Sequence, residues 1–405
     1  MSTYTNPATT DRRIGTELPA PAARLRRALG RVTRTPAVLY DTDGIDAEIA
    51  AFRRALGLLD APRTRLLFSV KANRAPALLG HLAGRGLGAA VAGVGEDRAA
   101  REAGLGPRWA TGPGLGPEEL AQLHAHGTHL DIDGVEQLAA VPRGSEVGLR
   151  VAVPIPAEST ARGIPWSRFG LRWNDPAERG AVLEVLRERA LRPVRLHAHV
   201  RDVGGVADVR PLGRVLAEAA RDLPDVTEVN IGGGMIRLFH HNPDEVPAVF
   251  ACLAEGLASA GRPLGVLAEP GAQIVTSHGY LVTRVRSVYR AGGRQSVTVD
   301  ASAWNLAGWS RFSLVPLGPS RAQRWTTDVA GPTCYEKDLW FTGAATDRIE
   351  PEDLVVLRGA GAYVTSMHRV LHDLPAPVEE LLPPAADPGP APGAGRPAAD
   401  GRQAR

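Results

Sequence analysis

The chain of 405 residues contains only two cysteines, Cys252 and Cys334. A small secreted disulfide scaffold would use more, and no Cys-x-x-Cys pair offers a metal knuckle. Reduced thiols and a cytoplasmic setting are the corresponding expectation. Aromatic residues are scarce, at 5%, and nowhere interleave with basic residues as a nucleic-acid-binding stripe would. No run of 18 apolar residues occurs, so no ordinary membrane-spanning helix is expected. The polar stretch from Met1 to Arg13 lacks the apolar segment of a secretory signal. A formal net charge of only +3 gives little electrostatic reason to expect nucleic acid.

What is present is a globular composition, 44% hydrophobic and 22% charged, long enough for two domains. Short apolar or β-branched runs recur at 66–70, 87–92, 109–112, 128–132, 146–153, 194–200, 226–231 and 265–268. Helical patterns lie between them, for example at 117–124, 176–189, 206–221 and 243–260. This alternation is the period of a TIM-type (β/α)8 barrel, with an open doubly wound sheet as the alternative. Beyond Glu269 the long helical patterns stop, and strand-like segments follow at 279–289, 295–300, 324–329 and 354–357. The expected organisation is α/β: an N-terminal segment (1–34), a barrel (35–270) and a C-terminal β-rich domain (271–383). Residues 35–42 are candidates to pair with the second domain. The Pro-, Ala-, Gly- and Arg-rich stretch 384–405 is expected to be a disordered tail.

Barrel enzymes carry their chemistry at the carboxyl ends of the strands. The first run ends in Ser69-Val70-Lys71-Ala72-Asn73. A lysine there is either a snorkelling surface residue or an amine placed to form an imine with an aldehyde. The sixth run carries His197 and His199, two apart and so on one strand face. They read as core histidines, a metal pair, or rings facing an aromatic cofactor. The seventh run ends in Gly232-Gly233-Gly234, a tight turn or a phosphate cradle. The eighth ends in Glu269-Pro270-Gly271, whose carboxylate is either solvated or paired with a cation such as a protonated pyridine nitrogen. Taken together, the four describe one ligand, pyridoxal 5'-phosphate.

These segments make the sequence similar to the fold-type III pyridoxal-phosphate decarboxylases, the ornithine/diaminopimelate decarboxylase family. The resemblance extends over about residues 35–375, through Ser167-Arg168-Phe169-Gly170, Gly331-Pro332-Thr333-Cys334 with Asp338, and Gly361-Ala362-Tyr363. It implies that Lys71 carries the cofactor as an imine, that His199 stacks on its ring and that Glu269 meets the ring nitrogen. It also implies that Gly232, Gly233, Gly234 and Tyr363 hold the phosphate. Arg168, Tyr335, Glu336 and Asp338 fall at its substrate edge. Cys334 would reach across a homodimer interface into the partner's active site, there to help protonate the carbon that has lost CO2. The implied reaction is decarboxylation of the α-carboxylate of an amino acid.

The sequence also departs from the family pattern. Arg201-Asp202 stands where Gly-Ser usually follows the histidine strand, and Ala272 replaces an arginine that usually contacts phosphate. Arg201 could supply the missing charge. Tyr335 takes the place of an acidic residue, and Leu371-His372-Asp373 that of Phe-Asn-Gly. The cofactor core is kept and the substrate edge altered, which points beyond plain ornithine or diaminopimelate to a modified or conjugated amino acid of specialised biosynthesis. The alternatives are a racemase, which the glutamate rather than arginine at the ring nitrogen disfavours, and a non-catalytic or repurposed member of the fold.

Overall fold

The computed structural model describes residues 19–154, 167–305, 312–321 and 323–383. The expected tail lies outside them. Strand β1, Ala37–Tyr40, precedes the barrel. Eight parallel strands then close on themselves: β2 Thr64–Ser69, β3 Gly88–Val91, β4 Arg108–Ala110, β5 His129–Ile132, β6 Glu146–Arg150, β7 Arg192–His197, β8 Glu228–Asn230 and β9 Gly265–Ala268. The eight apolar runs are these eight strands, so the barrel and not the open sheet is formed. Pairing of β2 with β9, Leu66 opposite Ala268, completes the ring.

Strand alternation sorts the side chains of each strand. Leu66 and Phe68 join the main core between strands and helices, whereas Leu67 clusters with Ala90, Trp109 and Leu267 inside the ring. Helices start where the sequence supplies caps. Asp175 accepts from the backbone N–H groups of Ala177 and Glu178, ahead of Pro176 at the first turn of Pro176–Glu188. The helical pattern at 243–260 begins as a 3-10 turn, Pro243–Glu245, and becomes α-helical over Val246–Ala258. Helices Ala22–Leu29 and Ile236–His241 were not read from the sequence.

The second domain is a sheet of β1, β10 Gly279–Ala291, β11 Arg294–Val299, β12 Ser313–Val315, β13 Arg324–Ala330, β14 Leu339–Asp347, β15 Leu354–Arg358 and β16 Val378–Leu381. Strand β1 lies antiparallel to β10 and parallel to β16, so both ends of the described chain are tied into this sheet. Asn73, just after β2, is buried and joins the domains. Its amide donates to the Tyr40 hydroxyl (2.7 Å) and to the Gly361 carbonyl (2.8 Å).

The domain junction allows no side chain at Gly361, where a Cβ would lie 1.7 Å from the Val275 carbonyl oxygen. Gly361→Ala is expected to lower stability by about 3 kcal/mol or more. Gly180→Ala, in open space on a helix, should leave stability unchanged or raise it by about 0.5–1 kcal/mol. Thermal denaturation of the two variants checks both.

Candidate active site

Lys71 sits in a 3-10 turn, Val70–Ala72, at the carboxyl end of β2. Its side chain is exposed at the barrel mouth, and no hydrogen bond or ion pair with a described residue holds its amine. Its positive charge contributes to lowering the pKa values of His197 and His199. The Ser69 N–H donates to the Pro270 carbonyl (3.1 Å), so the lysine turn lies against the Glu269-Pro270-Gly271 segment. A Cβ on Gly271 would come 2.8 Å from Ser69 Cβ, which is why that approach needs glycine.

Glu269 is 7% exposed. The side-chain amide of Asn230 donates to its Oε1 (2.7 Å), while Asn230 Oδ1 accepts the Gly232 N–H (2.9 Å). One asparagine thus couples the glycine turn to the carboxylate. Glu269 Oε2 accepts no hydrogen bond from a described residue and has His197 Nε2 at 3.7 Å. The glycine turn closes tightly over its neighbours. A Cβ at Gly232 would lie 2.5 Å from His199 Nδ1, at Gly233 2.4 Å from the Glu269 carbonyl oxygen, and at Gly234 2.3 Å from the Val200 carbonyl oxygen. The Gly233 N–H donates to His199 Nδ1 (3.1 Å), which leaves the ring proton on Nε2 and fixes the ring plane. Of the three glycines, two therefore have their N–H groups engaged inside the protein. Only that of Gly234 is without a described acceptor.

Tyr363 adopts φ 57°, and its N–H donates to the Ala72 carbonyl (2.8 Å), so the β-domain touches the lysine turn directly. Burial, reinforced by the nearby Glu96 carboxylate, raises the Tyr363 pKa. Arg168 is exposed, with its guanidinium 3.9 Å over the Phe169 ring. Arg150 lies 4.7 Å from the same ring and pairs with Asp133 (2.8 Å). Arg201 and Asp202 are exposed beside the glycine turn; a Cβ on Gly234 would come within 3.3 Å of Arg201 Cα. Ala272 opens the short helix Ala272–Val275.

The late motif is set apart from these residues. Cys334, Tyr335 and Glu336 are exposed on the β13–β14 connection. Tyr335 stacks on His372 (5.5 Å between centroids), and the Cys334 N–H donates to His372 Nε2 (3.4 Å). Asp338 is buried instead. Its Oδ1 accepts from the Ala303 N–H (2.7 Å) and its Oδ2 from the Thr333 hydroxyl (2.7 Å). It shapes the loop and offers no open acceptor to a substrate. Among the described residues, no three His, Cys, Asp or Glu side chains converge as a metal set.

The site suits pyridoxal phosphate. Among the described residues the amine of Lys71 has no partner, one oxygen of Glu269 accepts no hydrogen bond, and the His199 ring plane is locked by backbone. The adjoining glycine cradle would be blocked by any Cβ. Residues 42–276 match the family described as pyridoxal-dependent decarboxylase, pyridoxal binding domain. This chain belongs to that family. A diaminopimelate decarboxylase of Deinococcus radiodurans is 31% identical over 365 residues, covering 86% of this chain and 90% of that protein. One from Helicobacter pylori is 25% identical over 374 residues, with 86% and 90% covered. The solved Helicobacter pylori diaminopimelate decarboxylase complexed with L-lysine superposes with a TM-score of 0.76 at 22% identity, over 88% of this chain and 94% of that one. Lysine decarboxylase from Selenomonas ruminantium gives 0.72 at 17%, over 92% and 98%; these two structures bear on the fold alone. This member of the family is a pyridoxal-phosphate-dependent amino-acid decarboxylase.

Asn73, Asn230 and His197 were legible only as parts of motifs; their task of joining elements shows in the fold. Burial pushes the pKa of His197 from 6.5 down to about 3. Below pH 6.5 the unfolded chain gains a proton that the native state refuses, so stability falls as pH drops from about 6.5 toward about 3 and is flat above. The slope for this one group is up to about 1.4 kcal/mol per pH unit. His199, similarly lowered by burial and by the charge of Lys71, acts in the same direction. Urea unfolding of the cofactor-free protein at pH 7 and pH 5 should show the loss, and His197→Phe should reduce it.

Proposed function

We propose that this decarboxylase removes the α-carboxylate from an amino acid whose distal end differs from that of plain ornithine or diaminopimelate. We propose further that it does so as a cytoplasmic homodimer with shared active sites. The observation that carries the reading is the meeting of Lys71, His199, Glu269 and the Gly232–Gly234 turn at the carboxyl ends of β2, β7, β8 and β9. The altered distal edge is supported by Tyr335, which is 52% exposed and stacked on His372 beside Cys334, where a carboxylate would otherwise read a distal amine.

The cofactor supplies an aldehyde and an electron-withdrawing ring. Lys71, whose amine has no partner among the described residues, would hold the cofactor through its aldehyde. Glu269, held at Oε1 by Asn230, would hold a proton at the ring nitrogen with its other oxygen. His199, fixed by the Gly233 N–H, presents its ring face and keeps water from one side. The Gly234 N–H would donate to a phosphate oxygen, with the Tyr363 hydroxyl near the lysine turn as a second donor and Arg201 beside the glycines adding positive charge. Arg168 lies at the substrate side. Cys334 of a second subunit would hold the proton that replaces CO2.

The direct test is to incubate the protein and cofactor with amino acids, including acylated and carboxylated diamines, and measure CO2 and the matching amine. Racemised amino acid without CO2 overturns the reading. The chain has only two lysines, Lys71 and Lys337. Borohydride reduction followed by peptide mapping should therefore label the Lys71 peptide, and Lys71→Arg should abolish both label and CO2. Shared sites have their own test: Lys71→Ala and Cys334→Ala, each inactive or slow alone, should recover activity when co-expressed, because a mixed dimer holds one complete site.

A further inference from the structure

Inside the barrel, beneath Glu269, polar side chains form a line that the steps above leave unused. Arg195 donates to Asp131 Oδ1 through Nε (2.9 Å) and Nη2 (2.7 Å). Gly148 makes room for this pair, since a Cβ there would lie 1.9 Å from Asp131 Oδ1. The other oxygen, Asp131 Oδ2, is buried with no hydrogen-bond partner, and so are both ring nitrogens of His197. These orphans face one another. His197 Nδ1 is 3.7 Å from Asp131 Oδ2, and His197 Nε2 is 3.7 Å from Glu269 Oε2. Buried polar atoms are nearly always paired, and a shift of under about 1 Å would make either contact a hydrogen bond.

We propose that His197 is a positioning residue for the decarboxylation: it donates its Nε2–H to Glu269 Oε2, and the Arg195–Asp131 pair beneath it sets that tautomer. The inference deepens the decarboxylase reading and rests on it. Burial keeps the imidazole neutral, so it has one N–H to share between two carboxylates at equal distance. Asp131 already has a guanidinium bonded to it. Glu269 has only the neutral amide of Asn230. The proton therefore sits on Nε2, toward Glu269. Two neutral donors, Asn230 on Oε1 and His197 on Oε2, then hold the carboxylate plane, and a lone pair of Oε2 would remain for the ring nitrogen of the cofactor. Other charges reaching this ring come from Arg150 and Lys71, and both are cations that oppose its protonation.

The test separates an effect on the ring nitrogen from a general loss of structure. Apo-protein is titrated with pyridoxal phosphate and with its 1-deaza analogue, in which the ring nitrogen is replaced by C–H. The wild type should prefer pyridoxal phosphate. His197→Leu should weaken binding of pyridoxal phosphate by about tenfold or more, as expected for a lost hydrogen bond to a charged group, and leave analogue binding within about twofold. His197→Gln, which can place an amide N–H near Nε2, should restore the preference. His197→Asn, whose amide reaches only toward Asp131, should not; it also serves if the leucine variant fails to fold. Equal weakening of both ligands in Leu and Asn variants, or no weakening of either, overturns the proposal. Failure of the wild type to bind either ligand at Lys71 would instead overturn the cofactor assignment on which it rests.

Discussion

Closure of the barrel between β2 and β9 is the constraint on which the site depends. Lys71 and Glu269 are almost two hundred residues apart in the chain, yet each directly follows a strand of the same closing pair. The Ser69–Pro270 backbone hydrogen bond extends that pairing past the strand ends, so the amine turn and the carboxylate segment cannot drift apart without opening the ring. A barrel has no sheet edge to slip along, and the register that buries Leu66 and Ala268 also fixes how far the lysine turn and the Glu269 segment stand apart.

The polar filling of the barrel follows from the same closure. Strand alternation sends Asp131, Arg195, His197 and Asn230 to places where water is excluded, and their cost is offset only by one another. Arg195 bonds Asp131, Asn230 bonds Glu269, and Gly148 gives up its side chain to make room. What remains without a hydrogen bond among the described residues is Asp131 Oδ2 and the imidazole of His197 inside the barrel, Glu269 Oε2 above them, and the exposed amine of Lys71 at the strand ends. A core that satisfied every polar group internally would have nothing left to offer a ligand.

The second domain contributes more than a cover. Asn73 links the lysine turn to β1 and to Gly361, and the Tyr363 N–H bonds the Ala72 carbonyl. The turn that carries Lys71 is thereby held between two domains, a rigidity that loops alone do not provide. The β13–β14 connection, with Cys334 and Tyr335, is organised instead by buried Asp338, and it presents those two residues outward on a prepared loop.

The barrel was legible because each strand is a short apolar run bounded by turn residues, and local composition carries that signal. The lysine, the carboxylate and the triple glycine were legible because each ends such a run, where a barrel puts its chemistry. The roles inside the motifs were not. The three glycines look alike in sequence, yet Gly232 and Gly233 have their N–H groups engaged by Asn230 and His199, and only that of Gly234 is without an acceptor among the described residues. Asp338 stands in the late motif beside Tyr335 and Glu336, yet it is buried and bonded to Ala303 and Thr333 while they are exposed. Which side chains become partners depends on the strand register and on the approach of distant backbone to within a few ångströms. Periodicity therefore specified the elements and the residues at their ends, while hydrogen-bond partners, set by three-dimensional closure and by the demand that buried polar groups be matched, were decided only by the tertiary structure.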